Sequence, residues 1–177
     1  SFHVDYWDYI GWKDPYSKSK FSARQRSYSK KLKSSTYTPQ IVINGKIDVI
    51  GSRKWEILGQ VSKINEKNTF IHLPFSTKKK KNEIELKLSS LCKFDKDYIV
   101  QTFLVKKKTL DTVTRGENRG KKLQSSNVVI DWKTLNDTDK NFKVSFSIPS
   151  GKQNDYFIAL YIQDSKNLDI VGVGVEK

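Results

Sequence analysis

The stretch Thr38-Pro39-Gln40-Ile41-Val42-Ile43-Asn44-Gly45 constrains the fold more than any other part of this sequence. Proline has no N–H to donate to a sheet ladder, so Pro39 belongs at the first residue of a strand, and we predict a cis bond before it. The apolar run behind it is typical of a strand covered on both faces. Asn44-Gly45 predicts a tight hairpin turn into a second strand over residues 46–50.

Around this hairpin the sequence predicts further short elements. Ser1 to Val4 is an apolar segment that predicts a strand, and residues 5–15 form an aromatic loop. Ser19 to Lys33 carries apolar residues at spacings compatible with one helical face. Ser52 is a suitable N-cap for a second helix, in which apolar residues recur every third position: Trp55, Leu58, Val61 and Ile64. The predicted order is strand, helix, strand, strand, helix.

The chain changes character near Asn68. From there, polar and apolar residues alternate with period two in short runs: Thr69 to Leu73, Glu83 to Ser89, Asp97 to Lys106, Ser126 to Trp132, Phe142 to Ile148, Asp155 to Gln163 and Leu168 to Glu176. Several such strands with no helical stretch between them predict an antiparallel β-sandwich. We therefore expect two domains, 1–67 and 68–177, with the boundary at roughly 66–70.

Several motifs carry a resemblance to a known family: His3 to Pro15, Phe21 to Arg26, Tyr37 to Gln40, Arg115 to Lys121 and Asn127 to Val129. They resemble an uncharacterised family of predicted secreted bacterial proteins with a thioredoxin-like fold, and the resemblance covers nearly the whole chain. The implied fold class is α/β plus all-β. It consists of an incomplete thioredoxin-like domain followed by an antiparallel β-sandwich-like domain. The family has no established biochemical activity to carry over.

The same resemblance implies what surrounds these residues. Family members usually begin with a strand and a Cys-x-x-Cys helix start, and that strand would lie between Ser1 to Val4 and Pro39 to Ile43. Residues 1–177 would then be a fragment of a secreted or periplasmic protein, with the redox pair upstream. In thioredoxin-like relatives, the residue before this proline pairs with an extended substrate peptide. Thr38 and Pro39 are therefore the implied substrate-binding residues.

The net charge of +14 raises the question of nucleic-acid binding. A positive field of this size attracts anions in general. Bidentate base recognition relies on arginine, however, whereas most of these cations are lysines in predicted loops. The composition argues against specific nucleic-acid binding. An extended peptide or a partner protein is the expected ligand. No run of about 18 apolar residues predicts a membrane span.

Residues with metal-binding or redox chemistry are few. His3 and Asp5 lie on one side of an extended segment, but two ligands are too few for a closed metal site. We include them with Trp7 as candidate site-lining residues because the family pattern keeps all three beside the missing cysteine loop. Cys92 is the single cysteine and is expected to behave as a small, partly buried hydrophobe. No catalytic residue, metal site or cofactor is expected in this chain.

Two loops are candidate contact surfaces. The aromatic loop, with Trp7 and Trp12, is either a peptide or glycan contact patch or a cap packed over the end of the sheet, and packing is the favoured reading. The second loop is a polar turn with two glycines that permit unusual backbone angles. Its candidate residues for an anion or a partner are Arg115, Glu117, Asn118 and Arg119. An Arg–Glu pair within the loop would neutralise that site.

Two functional hypotheses follow. The first is that the intact protein is an exported thiol-disulfide oxidoreductase or redox accessory, whose reacting Cys-x-x-Cys pair lies upstream of residue 1. The second is that it is a non-catalytic exported binding protein. Thioredoxin-like domains that catalyse no reaction are common. For the 177 residues themselves we expect no reduction of insulin disulfides, because the chain holds one cysteine.

Overall fold

In a computed structural model, the chain folds into two helices and nine strands within the described residues, which are 1–65, 71–88, 97–135 and 143–176. The helices are α1 (Ser19–Leu32) and α2 (Lys54–Asn65). The strands are β1 (Gln40–Ile43), β2 (Ile47–Ile50), β3 (Ile71–Lys80), β4 (Glu83–Leu88), β5 (Tyr98–Thr112), β6 (Lys122–Leu135), β7 (Lys143–Ser147), β8 (Tyr156–Asp164) and β9 (Ile170–Glu176). Single 3-10 turns cover Asp8–Ile10 and Gln153–Asp155.

Seven of the described strands form one mixed sheet in the order β6-β5-β8-β9-β3-β4-β7. The β3–β9 pair is parallel, and the other pairs in this sheet are antiparallel. The sheet is curled. Lys133 on β6 donates a hydrogen bond to the Ser145 carbonyl on β7 at 2.5 Å. One side chain therefore bridges strands from the two ends of the strand order.

The main hydrophobic core lies on one face of this sheet. Alternate residues of β4, β5, β7 and β8 point to it, as the period-two pattern requires. Its members include Leu73, Phe75, Ile84, Leu86, Val100, Leu104, Val144, Phe146, Ile158, Leu160 and Ile162. Ile84, Leu86 and Ile162 are fully buried. This cluster contains residues of every strand of the sheet except β9, and partly buried Val171 of β9 packs against it.

The opposite face of β5 and β6 carries a second cluster that holds α1. Phe21 of α1 is buried with Phe103, Val105 and Val129. The Phe2 ring meets the Phe21 ring edge-on, with 5.3 Å between ring centroids. Helix α1 therefore docks on the sheet through one aromatic anchor and its neighbours.

The thioredoxin-like arrangement is wrong for residues 1–65. Ser1 to Val4 do not form a strand. Instead, the Ser1 carbonyl accepts a hydrogen bond from the Val129 N–H at 2.9 Å, which ties this segment to β6. Within the described residues β1 pairs with β2 alone, in a separate two-stranded sheet. The local elements are nevertheless confirmed, including the two helices, the hairpin and the cis bond between Thr38 and Pro39.

The antiparallel β-sandwich is also wrong as an account of the second half. The predicted strands are present in the described residues, but they join one curled mixed sheet instead of two facing sheets. Alternation specifies which side chains are buried and leaves open which strands become neighbours. The parallel register of Ile71 with Gly172 shows this, because it brings β9 beside β3.

Two sequence predictions fall outside the described residues. The expected domain boundary at 66–70 lies in the first gap, so the division into 1–67 and 68–177 stays a prediction. Cys92 lies in the second gap. Among the helices that the structure describes, none has the length and apolar character needed to cross a membrane.

Candidate functional site

An open groove with a volume of about 790 Å³ lies between the aromatic loop, α1, β1 and the loop that joins β5 to β6. Most of the sequence-predicted site residues line it: His3, Trp7, Trp12, Thr38, Pro39, Arg115, Glu117 and Asn118. Apolar side chains such as Phe2, Ile41 and Ile170 complete its walls. The structure thus brings together candidates that lie far apart in the sequence.

Two glycines bring the two predicted contact loops together. Gly11 in the aromatic loop and Gly116 in the β5–β6 loop both have positive φ, at 105° and 76°. A Cβ on Gly116 would lie 2.7 Å from the Ile10 carbonyl oxygen, so only glycine permits this approach of one backbone to the other. The unusual backbone angles expected in the β5–β6 loop are confirmed.

The polar candidates of the β5–β6 loop are exposed at the groove mouth. Arg115, Glu117 and Asn118 line the groove, whereas Arg119 is not among its lining residues. Within the described residues, neither arginine forms an ion pair with Glu117, and the Asn118 side chain accepts a hydrogen bond from Lys121 at 2.9 Å. The neutralising pair that the sequence allowed is therefore not formed.

The aromatic loop is partly packed and partly exposed. Trp7 is 47% exposed, and its indole N–H donates to the Thr38 hydroxyl at 3.0 Å. Tyr9 is 79% exposed. Asp5 does not line the groove. Its carboxylate is directed towards α1, where it accepts a hydrogen bond from the buried Ser22 hydroxyl at 2.5 Å. Asp5 therefore fastens the loop to the helix.

Strand β1 presents an open backbone edge to the groove. The Gly51 N–H donates to the Pro39 carbonyl at 2.7 Å, and Ile41 lies opposite Val49. In an antiparallel pair, backbone groups alternate in direction, so the N–H and C=O groups of Gln40 and Val42 point away from β2. Both residues line the groove. In the described part of the chain, no strand pairs with this edge.

Arg24 on α1 forms the cationic part of the groove. Its guanidinium lies over four aromatic rings, with centroid distances of 4.8 Å to Tyr28, 5.3 Å to Phe2, 5.4 Å to Trp132 and 5.6 Å to Tyr161. Its Nη2 donates to the Tyr28 hydroxyl at 2.9 Å and also to the Tyr161 hydroxyl. Sequence reasoning placed Arg24 inside the predicted helix over 19–33 and did not select it as a candidate site residue. The spacing of four residues between Arg24 and Tyr28 was the available signal.

His3 is oriented by Asp14 at one side of the groove. The two side chains are 2.7 Å apart, and because an ionised carboxylate only accepts, His3 Nδ1 carries the shared proton. Burial on its own would raise the pKa of the Asp14 carboxyl. The hydrogen bonds from His3 and the Tyr16 backbone outweigh it and hold that pKa below its ordinary value. The pair anchors the aromatic loop to the segment before it.

This depressed pKa predicts how stability depends on pH. The contribution of Asp14 is fully present above the unfolded pKa of about 3.9 and is lost as pH falls through the lower folded value. We expect Asp14→Asn to reduce the free energy of unfolding by about 1–3 kcal/mol at pH 7. The difference from wild type should shrink as pH falls below about 4, as measured by urea unfolding across pH.

The matched control is Asp155→Asn. Asp155 is exposed, and its carboxylate makes no hydrogen bond or ion pair within the described residues. This change should stay within about 0.5 kcal/mol of wild type at every pH. An Asp14→Asn deficit that persisted unchanged at pH 3 would contradict the role given to the ionised carboxylate.

These features define a class of protein: a helix and a hairpin arranged with a curled mixed sheet around an open aromatic groove. Among the described residues no group of three metal-binding side chains accompanies it. The chain belongs to the family described as "Protein of unknown function (DUF1223)", which matches residues 1–163. The expected membership of an uncharacterised family is confirmed.

A solved structure resembles this fold. It is the crystal structure of protein AGR_C_4864 from Agrobacterium tumefaciens, with a TM-score of 0.66 and 22% sequence identity. The match covers 98% of this chain and 75% of that chain. At this identity the similarity bears on the fold alone. No curated protein matches the chain.

Proposed function

We propose that this protein binds an extended peptide, which adds a strand to the open edge of β1. The observation that carries the proposal is the pair of outward-facing backbone units at Gln40 and Val42 in the wall of the groove. A strand edge offers main-chain hydrogen bonds to any extended chain, and neighbouring pockets then select its side chains. This is the non-catalytic alternative among the sequence-based hypotheses.

The groove suits such a ligand in its size and in its walls. A volume of about 790 Å³ falls within the range of ordinary ligand sites. Aromatic and aliphatic side chains bury the apolar residues of a bound strand, while a few polar groups fix its register. Thr38 precedes β1 by two residues and also lines the groove. Its predicted role in peptide binding is retained here as a proposal.

The redox hypothesis has no supporting observation among the described residues, because it places the reacting cysteines upstream of residue 1. It stays a prediction. Export to the periplasm or medium is likewise proposed from the family resemblance alone.

The test is to block the open edge without breaking the hairpin. Val42→Pro removes an N–H that β2 does not use, and its ring occupies the edge, whereas Val42→Ala keeps the N–H. Nonapeptides enriched from a random displayed library on the wild-type protein are the probe, with binding measured by calorimetry. We expect Val42→Pro to weaken binding at least about tenfold, and Val42→Ala to change it less.

Hydrogen exchange supplies an internal control. A bound strand should slow exchange at the amides of Gln40 and Val42. The amide of Ile41 already points towards Val49, so its exchange should change little. Equal binding by Val42→Pro and wild type, or protection confined to other elements, would exclude strand addition at β1.

A further inference from the structure

The charge on Arg24 is not matched by an acidic partner in the described part of the chain. No Asp or Glu oxygen lies within 4.0 Å of its guanidinium there. A guanidinium has five N–H donors, and only those on Nη2 have partners among the described residues. The remaining donors, on Nε and Nη1, are free to bind an acceptor within the groove that Arg24 lines.

The surroundings of Arg24 stabilise a cation but cannot neutralise it. Burial raises the pKa of both the Tyr28 and the Tyr161 phenols, so each hydroxyl stays neutral at physiological pH. Aromatic faces attract a cation, typically by about 0.5–2 kcal/mol, yet they leave its N–H donors unsatisfied. A carboxylate meets both needs at once, because it supplies the charge and accepts a charge-assisted hydrogen bond from Nη1 or Nε.

Two other cations on α1 have acidic partners. Lys20 pairs with Asp131 at 2.9 Å, and Lys31 forms an ion pair with Asp169. The fold therefore provides counter-ions outside the groove. At the groove wall it provides aromatic rings around Arg24 and leaves the Nε and Nη1 donors available.

The position of Arg24 relates it to the open strand edge. The next residue, Gln25, donates from its side-chain amide to the Gln40 side chain at 3.1 Å. A peptide lying along the edge at Gln40 and Val42 therefore passes beside this turn of α1. Successive side chains of an extended strand point to opposite sides, so every second one can reach the helix.

We propose that the bound peptide carries an acidic side chain, Asp or Glu, whose carboxylate binds the Arg24 guanidinium. This inference rests on the proposed peptide-binding function and adds the chemistry of the ligand to it. The net charge of +14 favours the same partner, because a positive field accelerates encounter with acidic chains.

The test uses heptapeptides of alternating Val and Thr, acetylated and amidated so that no terminal carboxylate remains. One series places a single Glu at each position in turn, and its partner series places Gln there. We expect the Glu form to bind about 10- to 100-fold more tightly than its Gln partner at one or two positions. With Arg24→Gln this preference should disappear. With Lys20→Gln, which removes a cation paired outside the groove, it should persist.

A second variant, Arg24→Lys, keeps the proposal testable if Arg24→Gln does not fold. Arg24→Lys keeps the charge but loses the planar guanidinium with its fixed donors, so the Glu preference should fall without vanishing. Raising the salt concentration to 0.5 M should reduce the preference of the wild-type protein.

The two proposals fail differently in this experiment. Equal binding of the Glu and Gln peptides would overturn the inference about Arg24 while leaving peptide binding intact. Absence of binding by any peptide of either series, at millimolar concentration and low salt, would count against strand addition itself.

Discussion

Phe21→Ala is expected to lower the free energy of unfolding by about 3–5 kcal/mol, the range for truncating a buried aromatic side chain. Phe21 is 1% exposed and packs in the cluster that joins α1 to β5 and β6. Its loss leaves a cavity where Phe103 and Val129 meet the helix. Because α1 carries Arg24 and forms one wall of the groove, the helix and the site should loosen together.

Phe146→Ala is the matched control for this prediction. Phe146 is also 1% exposed, but it lies in the main core on the other face of the sheet. Its truncation should cost a similar free energy while leaving α1 docked. Urea unfolding measures the cost, and hydrogen exchange of α1 amides at low urea measures the docking. We expect fast exchange of α1 in Phe21→Ala alone.

A pair of leucine variants tests the same contact if Phe21→Ala is too unstable to purify. Phe21→Leu retains an apolar side chain at the same position and should cost a smaller amount, on the order of 1 kcal/mol. It should still raise exchange in α1 more than Phe146→Leu does. Equal exchange in the two leucine variants would show that α1 is held by contacts other than the Phe21 cluster.

The elements that sequence reasoning predicted well are those determined locally. Pro39 and Asn44-Gly45 define the ends of β1 by backbone preferences that act within a few residues. Asn44 and Gly45 both adopt positive φ, at 50° and 73°, as such a turn requires. The helix expected over 19–33 appears as α1, Ser19–Leu32, because its apolar face is visible in the residue spacing.

The arrangement of those elements could not be obtained in the same way. Period-two alternation predicts most described strands of the second half, but it does not say that β3 pairs with β9 in parallel. Ser1 to Val4 is apolar enough for a strand, yet its backbone is bound irregularly beside β6. The residue patterns predict individual strands and helices, but they do not predict how these elements are arranged. The thioredoxin-like arrangement was taken from the family resemblance, and it is wrong.

The candidate site shows the same division. Aromatic residues of the first loop and polar residues of the β5–β6 loop were singled out separately, by composition. Their approach at Gly11 and Gly116 depends on the whole sheet, so no local pattern contains it. Arg24 was missed because its significance lies in what surrounds it. The rings of Phe2, Trp132 and Tyr161 come from three distant parts of the chain.

Gly172→Ala is expected to destabilise the protein by about 3 kcal/mol or more, at the upper end of the range for overpacking. A Cβ at this position would lie 2.5 Å from the Ile71 carbonyl oxygen and 2.7 Å from Ile162 Cδ1. Gly172 is opposite Ile71 on β3 and Ile162 on β8, so both neighbouring strands confine it. A backbone atom cannot turn away as a flexible side chain can, and the β3–β9 pairing must therefore separate.

Gly59→Ala supplies the opposite expectation from the same chemical change. Gly59 lies inside α2, and a Cβ there meets no atom within 4 Å. Alanine should stabilise the helix by about 0.5–1 kcal/mol, because glycine has the greater conformational freedom in the unfolded chain. Urea unfolding of both variants measures the two effects. The space around Gly172 is small because β9 pairs with β3 in parallel. A Gly172→Ala protein as stable as wild type would therefore contradict this strand order.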